Sequence, residues 1–185
     1  MTLQLKIHDA DSAPDGSRPL LAGIAEDAGL VPNLAGAMAE SPALLAMFDG
    51  MRRAAGALTL DPVLRETAGL GVGVEVDNAY GVAFHSTVLA GLGVDEADIA
   101  GMRDGRGPVD GAGRCGAVYA LARAVVRDRG RVAGTVLERA TLAGLTTEEV
   151  LEVVAECAFA SLVGLVDNLA GRVELDPFLT ARAWG

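Results

Sequence analysis

The chain has 185 residues, of which 51% are hydrophobic and only seven are aromatic, and its formal net charge is −10. This length predicts a single domain with a real core, and the acidic balance argues against nucleic acid or an anionic membrane surface as a partner. The N-terminus lacks the apolar core of a signal peptide, and the longest apolar run, Cys157 to Val166, is too short to span a bilayer. Cys115 lies far from Cys157, so we expect two free thiols and a cytoplasmic location.

The composition favours helices. With few aromatic residues, the core must be built mainly from Ala, Leu and Val, and small residues suit closely packed helices. Ala and Leu are also strong helix formers. The sequence therefore predicts an all-α protein of about eight helices over residues 17–185, preceded by a mobile N-terminal arm over residues 1–16.

Helix starts and stops can be placed from capping signals. Ser or Asp followed by Pro is typical of a helix start, and Gly of a position just past a helix end. Thr146 and Glu149 have the spacing of a capping box. We predict a loop over Arg103–Gly113, and we expect the tail to bring Phe178 and Trp184 to a surface or a partner subunit. In chain order the predicted helices begin near Ser17, Asn33, Ser41 and Asp61, then span Ala79–Gly91, a short stretch opened by Asp95, Arg114–Arg129, Gly134–Ala143 and Glu148–Ala170.

The stretch ETAGLGVGVEVDNAYGVAFHSTVLAGLG, residues 66–93, contains the most reactive side chains. Asn78, Gly81 and His85 are three and four residues apart, so they share one face of a helix. Helical side chains lean toward the N-terminus, which aims His85 at the space that Gly81 leaves open. Two readings follow: a histidine in a small-molecule site, or a buried histidine with Gly81 allowing close helix packing. The glycines at 69, 71 and 73 would likewise let another helix approach closely.

The sequence also contains an internal similarity. LAGLGVDEA, from Leu89, and LAGLTTEEV, from Leu142, are offset by 53 residues and share a glycine break, a cap and an acidic first turn. The match suggests two related helical hairpins around a pseudo-twofold, although common cap chemistry would produce it as well. Under duplication, Glu138 takes the place of His85.

Several segments together resemble the AhpD-like alkylhydroperoxidase and carboxymuconolactone decarboxylase superfamily, in its peroxidase-related branch. They are PLLAGIAEDAGLVPNLAGAMAESPALL, LDPVLRE with NAYGVAFH and AGLGVDEADI, and LVDNLAGRVELDPF, which includes Asn168. The resemblance covers nearly the whole chain. It implies an all-helical protein that forms a homo-oligomer, a dimer, trimer or hexamer.

The redox members of that superfamily carry Glu, then Cys-x-x-Cys, then His four residues after the second Cys. Placed on this chain, the motif puts its Glu at Glu66 and its His at His85. Its two cysteine positions become Asn78 and Gly81, with Tyr80 between them. A dithiol peroxidase needs one thiolate to attack the peroxide and a second to form the disulfide, which Asn and Gly cannot do. Cys115 and Cys157 match no motif position.

The decarboxylase branch works without cysteines, metal or organic cofactor, by acid–base chemistry at a pocket. On that resemblance His85 would transfer the proton and Glu66 would orient or charge it. Tyr80, Asn78 and Gly81 would hold a small organic substrate, and Glu75 and Asp77 are further candidates. Arg65 would be a surface charge or the partner of Glu66. Two distant histidines and scattered carboxylates offer no tight metal-ligand set, so we expect no metal and no cofactor.

Three functions remain open from the sequence. The first is a cofactor-free acid–base enzyme, of lyase or isomerase type, acting on a small metabolite through His85 and Glu66. The second is a member of the family that binds a ligand or assembles with partners without catalysis. The third is a peroxidase-like oxidoreductase whose redox group lies elsewhere in the chain.

Overall fold

The structure is a computed structural model that describes residues 3–185, and within these residues every regular element is helical. The prediction of an all-α protein is therefore confirmed. Nine α-helices are followed by one 3-10 helix: α1 Arg18–Ala28, α2 Asn33–Met38, α3 Pro42–Gly56, α4 Pro62–Glu75, α5 Ala79–Gly91, α6 Glu96–Arg103, α7 Arg114–Arg127, α8 Gly134–Leu142, α9 Thr147–Ala170, and the 3-10 helix Pro177–Arg182.

Side-chain caps are present at the predicted starts of α3, α4 and α9, whereas Ser17 and Asp95 precede α1 and α6 without a cap hydrogen bond. Ser41 accepts a hydrogen bond from the Leu44 amide at 3.3 Å, and Asp61 accepts one from the Val63 amide at 2.9 Å. The capping box at α9 is complete, because Thr146 and Glu149 each bond the other's backbone N–H. These side chains satisfy amides that a helix start leaves without partners.

Helix α4 lies at the centre and packs against α5, α7 and α9. Its glycines allow the close approach that the sequence predicted. A Cβ added to Gly71 would lie 3.2 Å from the Tyr119 ring of α7, and one added to Gly73 would lie 3.1 Å from Val82 of α5. Both contacts are tight, so a side chain at either position would push a neighbouring helix outward.

Residues 3–16, the described part of the predicted mobile arm, contain no helix, and they contact α9 at Leu3 and α2 at His8. His8 is buried, its amide donates to the Gly36 carbonyl at 3.1 Å, and its ring bonds Glu40 at 3.0 Å. Ala13 is also buried, in a core cluster with residues of α1 to α3. Motion of the arm stays a prediction, and residues 1 and 2 lie outside the described part.

The internal similarity corresponds to two turns of the same shape, but the two turns align at a different sequence offset from the one that the sequence match gave. Gly93 and Gly144 both have left-handed φ, of 83° and 79°, and each is followed two residues later by an N-cap, Asp95 or Thr146. The structural offset is therefore 51 residues and not 53, because the left-handed glycine and the cap fix the alignment. At this offset Val136, and not Glu138, corresponds to His85. Whether the halves arose by duplication stays a prediction.

The C-terminal tail folds back over its own chain. Buried Asp176 accepts hydrogen bonds from the Tyr80 hydroxyl and from the Asn33 amide, so it joins the tail to α5 and α2. Trp184 donates to the Arg103 carbonyl at 3.2 Å and packs beside α6, whereas Phe178 is half-exposed. The indole N–H of Trp184 thus has an acceptor on α6, and its ring is partly buried at the surface of the chain. Contact of the tail with a partner stays a prediction.

Candidate functional site

The two residues expected to carry the chemistry meet between α4 and α5. His85 Nδ1 lies 2.8 Å from Glu66 Oε2, and the two residues are only 8% and 4% exposed. Arg65 donates to the other carboxylate oxygen, with Nη2 2.9 Å from Oε1. Arg65 is therefore the partner of Glu66, and the carboxylate is held at both oxygens. This fixes the orientation of the imidazole that Glu66 binds.

Gly69 provides the space for the imidazole ring. A Cβ on Gly69 would lie 2.2 Å from His85 Cε1 and 2.4 Å from Nε2, distances that no real structure tolerates. Gly69 stands three residues after Glu66, so both lie on the face of α4 toward α5. Because Gly69 has no side chain, the His85 ring can lie against α4 and reach the Glu66 carboxylate.

The prediction that Gly81 opens the space for His85 is wrong. A Cβ on Gly81 would lie 2.4 Å from Asn78 Nδ2, because the Asn78 side chain caps α5 and accepts from the Gly81 amide at 3.0 Å. Gly81 makes room for this cap and lines the cavity described next. The three-and-four spacing placed these residues correctly on one face, but it gave no information about the helix that packs against them.

An apolar cavity of about 280 Å³ opens in front of His85. All four phenylalanines of the chain line it, which concentrates most of the scarce aromatic residues at one place. The polar residues in its wall are His85, Tyr80 and Arg52. Its lining comprises Ala28, Pro32, Leu34, Phe48, Arg52, Tyr80, Gly81, Phe84, His85, Phe159, Ala160, Val163 and Phe178.

Burial and charge act in opposite directions on the Glu66–His85 pair. Burial lowers the pKa of His85, but the hydrogen bond and charge of Glu66 outweigh it, so the pKa is raised above 6.5. Burial raises the pKa of Glu66, but the bonds from His85 and Arg65 bring it below 4.5. Because Glu66 stays ionised, it only accepts hydrogen bonds, and His85 Nδ1 must carry a proton. Nε2 is then the nitrogen that can gain or lose a proton.

Glu156 is a second buried carboxyl group near this pair, and the sequence pattern did not identify it. It lies on α9, one turn before the cavity residue Ala160. Burial raises the pKa of Glu156, the charge of Glu66 raises it further, and the charge of His85 acts against both. A usable signal existed: a single glutamate stands within the apolar run VVAECAFA of α9.

The predicted substrate-binding residues have different positions. The Tyr80 ring lines the cavity, but its hydroxyl donates to Asp176 and its amide to Asp167 Oδ2 at 3.2 Å. Burial raises the pKa of Tyr80, and the bond to Asp176 raises it further. Asn78 is buried as the α5 cap and does not line the cavity. Its carbonyl oxygen is bonded to the Gly81 amide, so the cavity does not support the assignment of Asn78 to substrate, which stays a prediction.

The other candidate groups lie outside the cavity. Glu75 pairs with Arg123 at 2.7 Å, and Asp77 pairs with Arg172 at 3.4 Å. Burial raises the pKa of Cys157 to about 12 and also raises that of the half-buried Cys115. Within residues 3–185 no three His, Cys, Asp or Glu side chains are grouped as metal ligands, and no helix is long and apolar enough to cross a membrane.

No protein-family model matches this chain, and neither does any curated protein. Solved structures do match along nearly its whole length. The debrominase Bmp8, as a cysteine-to-alanine variant in complex with 2,3,4-tribromopyrrole, is 15% identical with a TM-score of 0.76, and the match covers 98% of this chain and 95% of that one.

Two peroxidase-related proteins are similar to the same extent. An uncharacterized one from Silicibacter sp. TM1040 is 18% identical with a TM-score of 0.74, covering 95% of this chain and 92% of that one. Another, described as an alkylhydroperoxidase AhpD core from Ralstonia eutropha JMP134, is 18% identical with a TM-score of 0.72, covering 95% and 94%. At this level of identity the match establishes the fold. The chain has the AhpD-like helical fold, as its sequence predicted.

Proposed function

We propose that this chain is a member of the AhpD-like and carboxymuconolactone decarboxylase superfamily that acts as a cofactor-free acid–base enzyme, of lyase or isomerase type. One observation carries the proposal. His85 is bound at Nδ1 by a buried carboxylate and forms part of the wall of an apolar cavity, which leaves Nε2 for a bound molecule. This is the arrangement that general acid–base catalysis needs.

The proton transfer follows from the charges of the pair. Neutral His85 carries a lone pair on Nε2 and removes a proton from the substrate, and the resulting imidazolium is stabilised by Glu66. The imidazolium then returns the proton to another atom of the substrate, or to a leaving group. Glu66 raises the pKa of His85 against the effect of burial, so it favours the imidazolium that forms when Nε2 takes the proton. Glu66 positions the ring and does not itself touch the substrate.

The cavity wall defines the class of substrate. Its surface is mainly aromatic and aliphatic, and its one cation, Arg52, is already paired with Asp27 at 2.7 Å and Asp49 at 2.8 Å. The guanidinium is therefore neutralised, and the cavity suits a neutral, small and largely apolar molecule with one acidic proton. The Bmp8 structure carries tribromopyrrole, which is a compound of this kind.

Deuterium exchange tests the proposal whatever the product of the reaction is. The protein is incubated in D₂O with small phenols, pyrroles, unsaturated lactones and β-keto esters, and carbon-bound deuterium and any breakdown product are measured. We expect exchange or breakdown of at least one compound, and a fall of about 100-fold or more in His85→Gln. His8→Gln is the matched control, since His8 is also buried and bonded to a glutamate but lies outside the cavity.

The same experiment distinguishes the non-catalytic alternative. Compounds that bind, shift the His85 resonances and never exchange would indicate a ligand-binding protein. Exchange that survives in His85→Gln would contradict the assignment of the base.

The redox alternative predicts a thiol dependence. Cys157 is buried with its pKa raised to about 12, and neither Cys157 nor Cys115 lines the cavity. We therefore expect no dithiol-dependent turnover of alkyl hydroperoxides. Turnover that disappears on Cys115→Ser or Cys157→Ala would support a relocated thiol pair instead.

A further inference from the structure

Glu156 is a buried carboxyl group that no group of its own chain binds. It is only 3% exposed, yet it takes part in no hydrogen bond and no ion pair within residues 3–185. A protein normally bonds the polar groups that it buries, so this exception requires an explanation. The other buried carboxylates of these residues each accept at least two hydrogen bonds, and they are Asp49, Glu66, Asp167 and Asp176.

Helix α9 runs alongside α4 and holds Glu156 against it. One turn before Glu156, the Glu152 carboxylate accepts from the Leu60 amide, just before α4, at 2.7 Å. Two turns after Glu156, a Cβ on Gly164 would lie 2.8 Å from Val76, at the end of α4. Glu156 therefore lies beside the first half of α4.

Three charged or titratable side chains act on Glu156 there. Arg65 and Glu66 come from α4 and His85 from α5. Arg65 does not neutralise Glu156, because its guanidinium donates to Glu66 Oε1. A buried carboxyl group without a partner keeps its proton more readily than it bears a charge. Burial and the charge of Glu66 raise the pKa of Glu156 against the charge of His85, so Glu156 holds its proton to a higher pH than Glu66 does.

The position of Glu156 also connects it to the cavity. Ala160, four residues later on the same face of α9, lines the cavity with only a methyl group, and Phe159 lines it as well. The carboxyl oxygens of Glu156 border accessible space, because the fully enclosed unbonded side-chain N and O atoms of residues 3–185 are His8 Nδ1 and Thr67 Oγ1. A general acid acts at hydrogen-bond distance or through one water, and this position provides for that.

We propose that Glu156 is the general acid that complements His85 as the base, acting on a small substrate in which a carbonyl group stands beside an acidic C–H bond. This rests on the proposed function, because it needs His85 to remove a proton. Two carboxyl groups in such different surroundings take different roles in one site. The ionised Glu66 stabilises the charge of the base, and the protonated Glu156 donates.

The proton and electron changes balance. Nε2 of neutral His85 takes the proton of the C–H bond, and the electron pair of that bond moves through the adjacent carbon to the carbonyl oxygen. Glu156 gives its proton to that oxygen, which leaves an enol, an imidazolium and a carboxylate. The imidazolium then returns its proton to a carbon of the enol, and the Glu156 carboxylate takes back the hydroxyl proton. Because the charge of His85 lowers the pKa of Glu156, the proton gained by the base favours its loss from the acid.

Infrared spectroscopy tests the protonation state without any substrate. In the difference spectrum of wild type minus Glu156→Gln near neutral pH, we expect the C=O stretch of a protonated carboxyl group, shifted to lower frequency in D₂O. Glu156→Met gives the same readout should the amide variant not fold. Glu152→Gln is the matched control and should remove carboxylate bands instead, since Glu152 accepts from two backbone amides. Carboxylate bands from Glu156 would overturn the proposal.

Turnover tests the role of that proton. With a compound that the wild type exchanges, kcat of Glu156→Gln should fall about 100-fold or more, while KM changes little and His85 still titrates by NMR. The decline of kcat at high pH, which loss of the Glu156 proton causes, should disappear in this variant. Glu152→Gln should keep both kcat and the pH profile of the wild type.

The outcomes separate this proposal from the proposed function. If His85→Gln loses exchange while Glu156→Gln keeps it with an unchanged pH profile, the proposed function stands and Glu156 is not its acid. A fall in kcat in a variant whose His85 no longer titrates would indicate a structural role and overturn the assignment. A wild type that exchanges none of the compounds would overturn both proposals.

Discussion

Two of the concave regions among the described residues have similar size and opposite chemistry. The cavity at His85 is about 280 Å³ and mainly apolar, whereas a cleft of about 250 Å³ beside α7 and α8 is lined by four arginines. Judged by charge alone, the cleft would be the better binding site for an anion, because it groups four arginines in a protein of net charge −10. The hydrogen bonds lead to the opposite conclusion.

Each arginine of the cleft already donates to its own chain. Arg123, for example, donates to Glu75 and to the Gly105 carbonyl, both at 2.7 Å. In the cavity, by contrast, Glu66 bonds Nδ1 of His85, and Nε2 has no hydrogen-bond partner among residues 3–185. The cleft arginines are thus held by acceptors of their own chain, whereas the cavity contains a histidine with one nitrogen that its own chain does not bond. The remaining arginine bonds are Arg106 to Asp104, Arg127 to Asp128, and Arg139 to the Gly111 carbonyl.

The largest expected effect comes from filling the space under the imidazole. Gly69→Ala places a methyl group 2.2 Å from His85 Cε1, so the ring must leave Glu66 or α4 must move. We expect a loss of about 3 kcal/mol in unfolding free energy, at the upper end for overpacking, and loss of ligand binding and proton exchange. Chemical denaturation and NMR of His85 measure both effects.

Gly50→Ala is the matched control for that change. Gly50 is also inside a helix, α3, but a Cβ there would meet nothing within 4 Å. We expect a gain of about 0.5–1 kcal/mol from reduced backbone freedom and better helix propensity. Equal behaviour of the two variants would show that the space at Gly69 is not what holds His85.

A smaller effect is expected from removing the charge of Glu66. Glu66→Gln keeps the shape of the side chain but removes the carboxylate that His85 contacts. The lowering of the His85 pKa by burial is then no longer offset by that charge. The pKa of His85 should fall below 6.5, and the variant should lose about 2 kcal/mol because Arg65 loses its partner. NMR titration resolves this readily, since the chain has only two histidines. Glu40→Gln, which removes the partner of His8, should leave the titration of His85 unchanged.

The pair should also give stability a pH dependence. Because the pKa of His85 is higher in the folded state, it contributes folding stability that is fully present at pH values below the unfolded pKa of 6.5. This contribution is lost as the pH rises through the pKa of the folded state. The lowered pKa of Glu66 stabilises above 4.5 and is lost as pH falls through its folded value. The difference in unfolding free energy between wild type and Glu66→Gln should therefore be greatest between about pH 4.5 and 6.5. A difference that is flat across this window would contradict an ion pair at the site.

The local parts of this arrangement were predictable from sequence, and the contacts between distant residues were not. The α5 boundaries, the α9 capping box and the Glu66–His85 pair follow from short-range signals and from the family motif. The roles of Gly69 and Asn78 depend on which helix packs on which face. Glu156 lies 71 residues after His85, and no spacing rule connects them. Tertiary packing determines these contacts, and a local sequence pattern does not show which distant segments pack together.

The smallest effect is expected in the arginine cleft, where it tests the other half of the comparison. Arg139 forms no ion pair among residues 3–185, and its one hydrogen bond goes to a backbone carbonyl on an exposed loop. Arg139→Gln should shift the unfolding temperature by no more than about 2 °C, because exposed bonds of this kind contribute little. Inorganic phosphate, titrated by calorimetry at low salt, should bind neither protein above the level seen for Arg172→Gln, whose arginine lies outside the cleft. If instead phosphate binds the wild type and Arg139→Gln abolishes that binding, the cleft arginines have hydrogen-bond donors that their bonds within the chain do not use. Both concave regions would then be binding sites, and they would differ in the charge of the ligand that each one binds.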